Sequence, residues 1–232
     1  MATTVRVPGF LPSTSALRFA NSWPHQPDLR FKLGSQFELS VGDAANGLCG
    51  GMAFVTADHH NAGAPIWPDS EPPAEGSDHF KALVRRQLDS FDLGLLPMRF
   101  YLMQAFRSDD PTSWTSTLHV DGRSTRTARD EWPTARARLD AGQLVNLGLV
   151  RTTTADPRRL TSNHQVLAYG YSIDDGGAIS IAIYDPNHAA DDSIEIRLTL
   201  DASGDLASLS QSTGEPLFAF FVASYRPKPP TV

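Results

Sequence analysis

His164-Gln165-Val166-Leu167-Ala168-Tyr169-Gly170-Tyr171-Ser172-Ile173-Asp174-Asp175-Gly176-Gly177-Ala178-Ile179-Ser180-Ile181-Ala182-Ile183-Tyr184-Asp185 decides how the last third of this chain folds. Two runs of strand composition, Gln165–Tyr171 and Ala178–Tyr184, flank Asp174 to Gly177. Aspartate and glycine tolerate the positive φ angles of a tight turn, so the stretch predicts a β-hairpin. Hairpin strands run antiparallel, which brings the beginning of the first and the end of the second to one edge of the sheet. His164 opens the first and Asp185 follows the second, so an imidazole and a carboxylate are expected side by side. Each also has an ordinary reading: a strand-edge histidine bonded to a backbone carbonyl, and a turn aspartate ahead of Pro186. Asn187 competes with Asp185 as the partner of the histidine.

Working outward, residues 193–198 and 217–225 have strand composition and extend the hairpin into an antiparallel sheet. The continuous apolar run Leu144-Val145-Asn146-Leu147-Gly148-Leu149-Val150 has the length and bounds of a central strand. Pro227, Pro229 and Pro230 keep the C-terminal tail out of it. Helical signals come earlier. Met52–His59 has the composition of a buried helix, and Phe80, Leu83, Val84, Leu88 and Phe91 recur at spacings of three and four, with Arg85 and Arg86 off that face. Ser77 is a good N-cap for this second helix, at the end of a proline- and glycine-rich surface loop from Asn61. Pro97 opens a short helix to Phe106. Residues 107–130 read as a long loop with a short element around Leu118–Val120, and 131–139 as a helix stopped by Gly142. Residues 1–43 form a proline-punctuated lead-in expected to wrap the core. The fold class is therefore α+β in one domain, with residues 1–142 as lead-in and helical lobe and 143–232 as the sheet lobe.

Composition excludes several classes of function. At 232 residues, with 41% hydrophobic and 20% charged residues, the chain has the make-up of a globular protein with a sizeable core. A net charge of −6 offers no electrostatic footprint for nucleic acid. No apolar run approaches the roughly 20 residues of a spanning helix, and Met1–Arg6 lacks the apolar core of a secretory signal, so a cytoplasmic location without membrane attachment is expected. A single cysteine rules out an intramolecular disulfide.

That cysteine lies in Asn46-Gly47-Leu48-Cys49-Gly50-Gly51-Met52, between a small, turn-rich segment and the first helix. At a helix start the unpaired N–H groups and the dipole favour an anion, which makes a thiolate accessible. Gly50 and Gly51 each cost a helix interior roughly 1 kcal/mol relative to alanine, so they serve something else, such as close approach of a substrate or a second backbone segment. A small packed cysteine in a glycine-rich turn has the same composition. A nucleophilic cysteine needs a base and a group to orient it, and His164 with Asp185 supplies both. Asp58-His59-His60, with His79 or His188, is the competing metal reading; adjacent histidines point to different helix faces, and neither metal nor cofactor is expected.

Cysteine on a helix followed by histidine and a carboxylate on a sheet resembles the papain-like cysteine peptidase superfamily. Within it, Asn163–Tyr171 followed by Ile183–Pro186 looks most like the bacterial bacteriocin-processing and related peptidases. The resemblance covers roughly half the chain. It implies a papain-like fold, Cys49 as nucleophile, His164 as general base and then acid, and Asp185 as its orienter. It also implies a cysteine-dependent hydrolase or acyltransferase acting on a peptide, amide or thioester through an acyl-enzyme; amidase and transglutaminase chemistry would use the same triad. Such peptidases supply a glutamine shortly before the cysteine to hold the oxyanion, and residues 43–48 contain none. Asn46 and Gln36 are the substitutes, beside the backbone N–H of Cys49. A catalytically silent domain binding a peptide or small molecule in the cleft is the other reading.

Overall fold

The computed structural model describes residues 2–23, 29–33, 37–41, 47–106, 109 and 121–231. It is a mixed α+β protein organised on one antiparallel sheet. The sheet contains β1 (Thr3–Arg6), β4 (Val145–Val150), β5 (His164–Ile173), β6 (Ile179–Tyr184), β7 (Glu195–Leu200), β8 (Leu206–Gln211) and β9 (Ala219–Val222). A separate hairpin pairs β2 (Leu29–Leu33) with β3 (Phe37–Val41). In the main sheet the order is β8-β7-β6-β5-β4-β9.

β5 is the strand around which the others are placed. Its first half pairs with β4, from Leu149 opposite His164 to Val145 opposite Ala168. Its second half pairs along the same edge with β1, from Arg6 opposite Gly170 to Thr3 opposite Ile173. The sheet therefore does not come from residues 143–232 alone; the lead-in contributes a strand. A Cβ at Gly170 would lie 2.5 Å from the Val5 carbonyl oxygen, so glycine is what allows β1 so close. The hairpin to β6 forms as expected: Gly177 has φ +83° and its N–H reaches the Asp174 carbonyl, while the Asp174 side chain accepts from Ala178 N–H at 2.9 Å.

Two segments depart from the sequence reading. β8 has too few apolar residues to announce itself, because it is an edge strand whose residues are mostly exposed or half-exposed. Residues 123–130 are not loop: helix Arg123–Arg126 runs through a π-helical turn, Thr127–Glu131, into helix Trp132–Asp140. The cause is tertiary. Thr127 Oγ1 bonds both the N–H and the carbonyl of Phe220, and Glu131 Oε2 accepts Val222 N–H at 2.9 Å, so this turn closes the open edge of β9. The expected element at 118–120 lies outside the described residues.

Helix α1 (Pro12–Ser15) and the buried Leu17 and Phe19 carry the lead-in across the molecule; Leu17 and Phe19 join Leu48, Met52, Phe80 and Leu83 in a second apolar cluster. Helix α2 (Cys49–Asn61) packs on β5 and crosses α3 (Asp78–Ser90), whose N-cap Ser77 accepts Phe80 N–H. A Cβ on Gly51 would lie 2.2 Å from the Leu83 carbonyl oxygen, and one on Gly50 2.3 Å from Gln165 Nε2. The glycine pair is thus filled by a second helix and a strand side chain.

Arg86 and Leu88 correct the expected faces of α3. Leu88 is 41% exposed, whereas Arg86 is buried, its Nε 2.8 Å from Asp58 Oδ2. A buried guanidinium is tolerable when its charge is met, and Asp58 also accepts from Tyr225 OH and Lys228 N–H, which pins the C-terminal tail. Helix α4 (Leu95–Tyr101) continues as a π-helical turn to Phe106, and Phe100 packs edge-on against Phe221. Among the described residues no helix is long and apolar enough to cross a membrane.

Candidate active site

Cys49 is the first residue of α2, half-buried, with its sulfur against the start of β5. Helix and strand meet here because Gly50 leaves room for Gln165. The thiol lies below its ordinary pKa: burial opposes ionisation, and the charge and hydrogen bond of His164 outweigh it, helped by the backbone N–H groups of Gln165 and Gly50.

His164 is buried, and its Nε2 lies 2.6 Å from Asp185 Oδ1. Since that nitrogen is occupied by the carboxylate, Nδ1 is the one left to face the sulfur. Burial by itself would lower the pKa of His164, yet Asp185 and the Cys49 thiolate raise it to about 9. The two directions agree: each group favours the charged form of the other, the thiolate drawn down by the imidazolium and the imidazolium held up by the thiolate and Asp185.

Asp185 is fully buried and every lone pair has a use. Its Oδ1 accepts from His164 and from Asn187 N–H at 2.9 Å; its Oδ2 accepts from Gln211 Nε2 at 2.7 Å and faces Arg151 Nη2 at 3.5 Å. Arg151 is itself held by both carboxylate oxygens of Glu215, at 3.1 and 3.0 Å. Burial pushes the Asp185 pKa up, but the His164 charge, these hydrogen bonds and Arg151 win, and the carboxyl is held well below its ordinary range.

Helix α2 also has its first donors satisfied from elsewhere. Asn21 Oδ1 accepts Leu48 N–H at 2.7 Å, and Gln87 Oε1 on α3 accepts Gly51 N–H at 2.8 Å. The N–H of Cys49 has no acceptor among the described residues.

Of the residues singled out by sequence, Cys49, His164 and Asp185 come together. Asn187 does not orient His164; its backbone serves Asp185 and its side chain accepts from Asn21 Nδ2 at 3.1 Å. Asn46 and Gln36 lie outside the described residues. Asn21, Arg151, Gln211 and Glu215 were missed, for each reaches the site through tertiary contacts that no local pattern announces.

Among the described residues, His59, His60 and His79 do not bring their ligand atoms together. His59 Nδ1 bonds the Pro65 carbonyl at 2.7 Å, His60 meets the edge of Phe10, and His79 stacks on Trp67 beside Asp69. Asp185, His188 and Glu215 do have ligand atoms within 4.8 Å of one another. Asp185 is already committed to His164, however, and the cation between the two carboxylates is Arg151.

Comparison with known proteins returns no family model, curated protein or solved structure that matches this chain.

Proposed function

We propose that the chain is a papain-like cysteine-dependent hydrolase or acyltransferase. The observation that carries the proposal is the relay from Cys49 through His164 to a buried, multiply bonded Asp185. A purely structural cysteine has no need of an imidazolium, and a buried carboxylate aimed at that ring has a clear chemical use.

In this reading the Cys49 thiolate attacks the carbonyl carbon of a peptide, amide or thioester, and the carbonyl electron pair moves to oxygen. The N–H of Cys49 receives that oxyanion. As the intermediate collapses, His164 gives its proton to the leaving amine or thiol, and a thioester remains on Cys49. Water, or another acceptor nucleophile, then passes its proton to His164 while attacking the thioester. Departure of Cys49 as thiolate restores the ion pair. Asp185 fixes the ring and stabilises its charge throughout.

Turnover of an activated ester such as p-nitrophenyl acetate, assayed in wild type and in Cys49→Ser, tests this directly. Turnover with acyl-enzyme accumulation in wild type and none in the variant is expected. Equal background rates in both would leave a silent binding domain.

A further inference from the structure

We propose that Asn21 is a positioning residue of this site, locking the cysteine loop to the carboxylate turn so that Cys49 and His164 stay in register. The inference rests on the cysteine–histidine reading above.

Asn21 belongs to the lead-in, remote in sequence from every member of the relay, and is buried. Its Oδ1 accepts the N–H of Leu48, the residue immediately before the nucleophile. Its Nδ2 donates to Asn187 Oδ1, and its own N–H donates to the Pro186 carbonyl at 2.8 Å. One amide side chain therefore spans from the residue before Cys49 to the turn just after Asp185. Leu48 has no side-chain oxygen with which to cap α2; Gln87 takes the Gly51 N–H in its stead, and Asn21 holds the N–H of Leu48 itself.

The fit is close. A Cβ at Gly47 would lie 2.2 Å from Asn21 Nδ2, so only glycine lets the amide sit against this loop. The contacts then close a ring: Leu48 to Asn21, Asn21 to Asn187, Asn187 N–H to the same Asp185 oxygen that meets His164, and His164 to the sulfur. A carboxamide suits this place because it accepts at one end and donates at the other, which an aspartate or a hydroxyl at this spacing does not reproduce. Removing it leaves α2 free to shift relative to β5, and with it the distance on which the ion pair depends.

The test is the pH profile of Cys49 alkylation by iodoacetamide in wild type, Asn21→Ala, Asn187→Ala and the double variant, with thermal unfolding of each. His164, from β5, is the titratable group facing the sulfur; Asp185 and Arg151 lie behind its ring, and α3 contributes the neutral Gln87 and Ser90. Asn21→Ala is expected to label about tenfold more slowly than wild type at pH 6, one pKa unit's worth, yet within about twofold at pH 10, where every thiol is ionised. Asn187→Ala should show part of that loss, and the double variant no more than Asn21→Ala alone. An unchanged profile, a loss uniform across pH, or additive losses would overturn the proposal and leave Asn21 as a structural anchor. If Asn21→Ala does not fold, Asn187→Ala, which keeps the bond to Leu48, decides: a wild-type profile there overturns it. An ordinary thiol titration in the wild type would instead sink the cysteine–histidine reading beneath it.

Discussion

His164 Nε2 and Asp185 Oδ1 lie 2.6 Å apart at the shared end of two antiparallel strands, both buried, while Cys49 on the other side of the ring is a half-buried residue. The carboxylate is thus placed to act on the imidazole and not on a substrate. Replacing Asp185 by Ala removes the charge that keeps the ring protonated. Alkylation of Cys49 at pH 6 should slow by about tenfold for each pKa unit the thiol regains. Ester turnover should fall by about a hundredfold or more, the scale of a general acid–base contribution.

The pH dependence of turnover follows from the same pair. In the proposed reaction, acyl transfer needs Cys49 ionised and His164 protonated. The thiol sits below its ordinary value of 9.0, so activity rises on the acid side of that value. The imidazolium persists until about pH 9, and activity should fall as pH rises through it. A bell with its alkaline limb near 9 is expected for kcat/KM; a limb near 6.5 would show that Asp185 does not hold the proton.

Arg151 is expected to matter for stability out of proportion to its distance from the sulfur. Arg151→Met leaves Asp185 and Glu215 buried or half-buried beside each other with no cation between them, His164 meeting only the far oxygen of Asp185. Breaking a buried pair from one side costs about 3–5 kcal/mol, which urea unfolding at pH 7 would register. The acid dependence has a definite sign. Because the Asp185 pKa is depressed in the folded state, its contribution is full above the ordinary carboxylate value of 3.8 and is lost as pH falls below it. Asp185→Asn should flatten that acid limb.

Gly51→Ala separates packing from propensity. Alanine favours the helix by about 1 kcal/mol, but its Cβ would stand 2.2 Å from the Leu83 carbonyl oxygen. Backbone has to move, at a cost of about 1–3 kcal/mol, so a net loss of stability is expected. A rise in melting temperature would mean that α2 and α3 have room between them for a methyl group.

The parts legible in sequence were those encoded locally. Asp174 to Gly177 announces a turn, the turn fixes strand direction, and direction places His164 beside Asp185. Ser77 and Gly142 mark helix ends for reasons of backbone chemistry alone. What stayed hidden depends on partners far along the chain. Arg86 looks like a surface residue until Asp58 meets it, and Thr127 looks like loop and Glu131 like an ordinary helix start until the edge of β9 takes their side chains. Asn21, Arg151 and Gln211 carry no signature because they act through position, and β8 shows little periodicity because an edge strand buries little.

The most direct measurement is the rate of Cys49 alkylation by iodoacetamide as a function of pH, in wild type and in His164→Gln. Wild type should reach its plateau well below the ordinary thiol value, and the variant should return the midpoint toward 9.0. A wild-type midpoint at the ordinary value that His164→Gln leaves unmoved, or a thiol that labels only after unfolding, would contradict the ion pair.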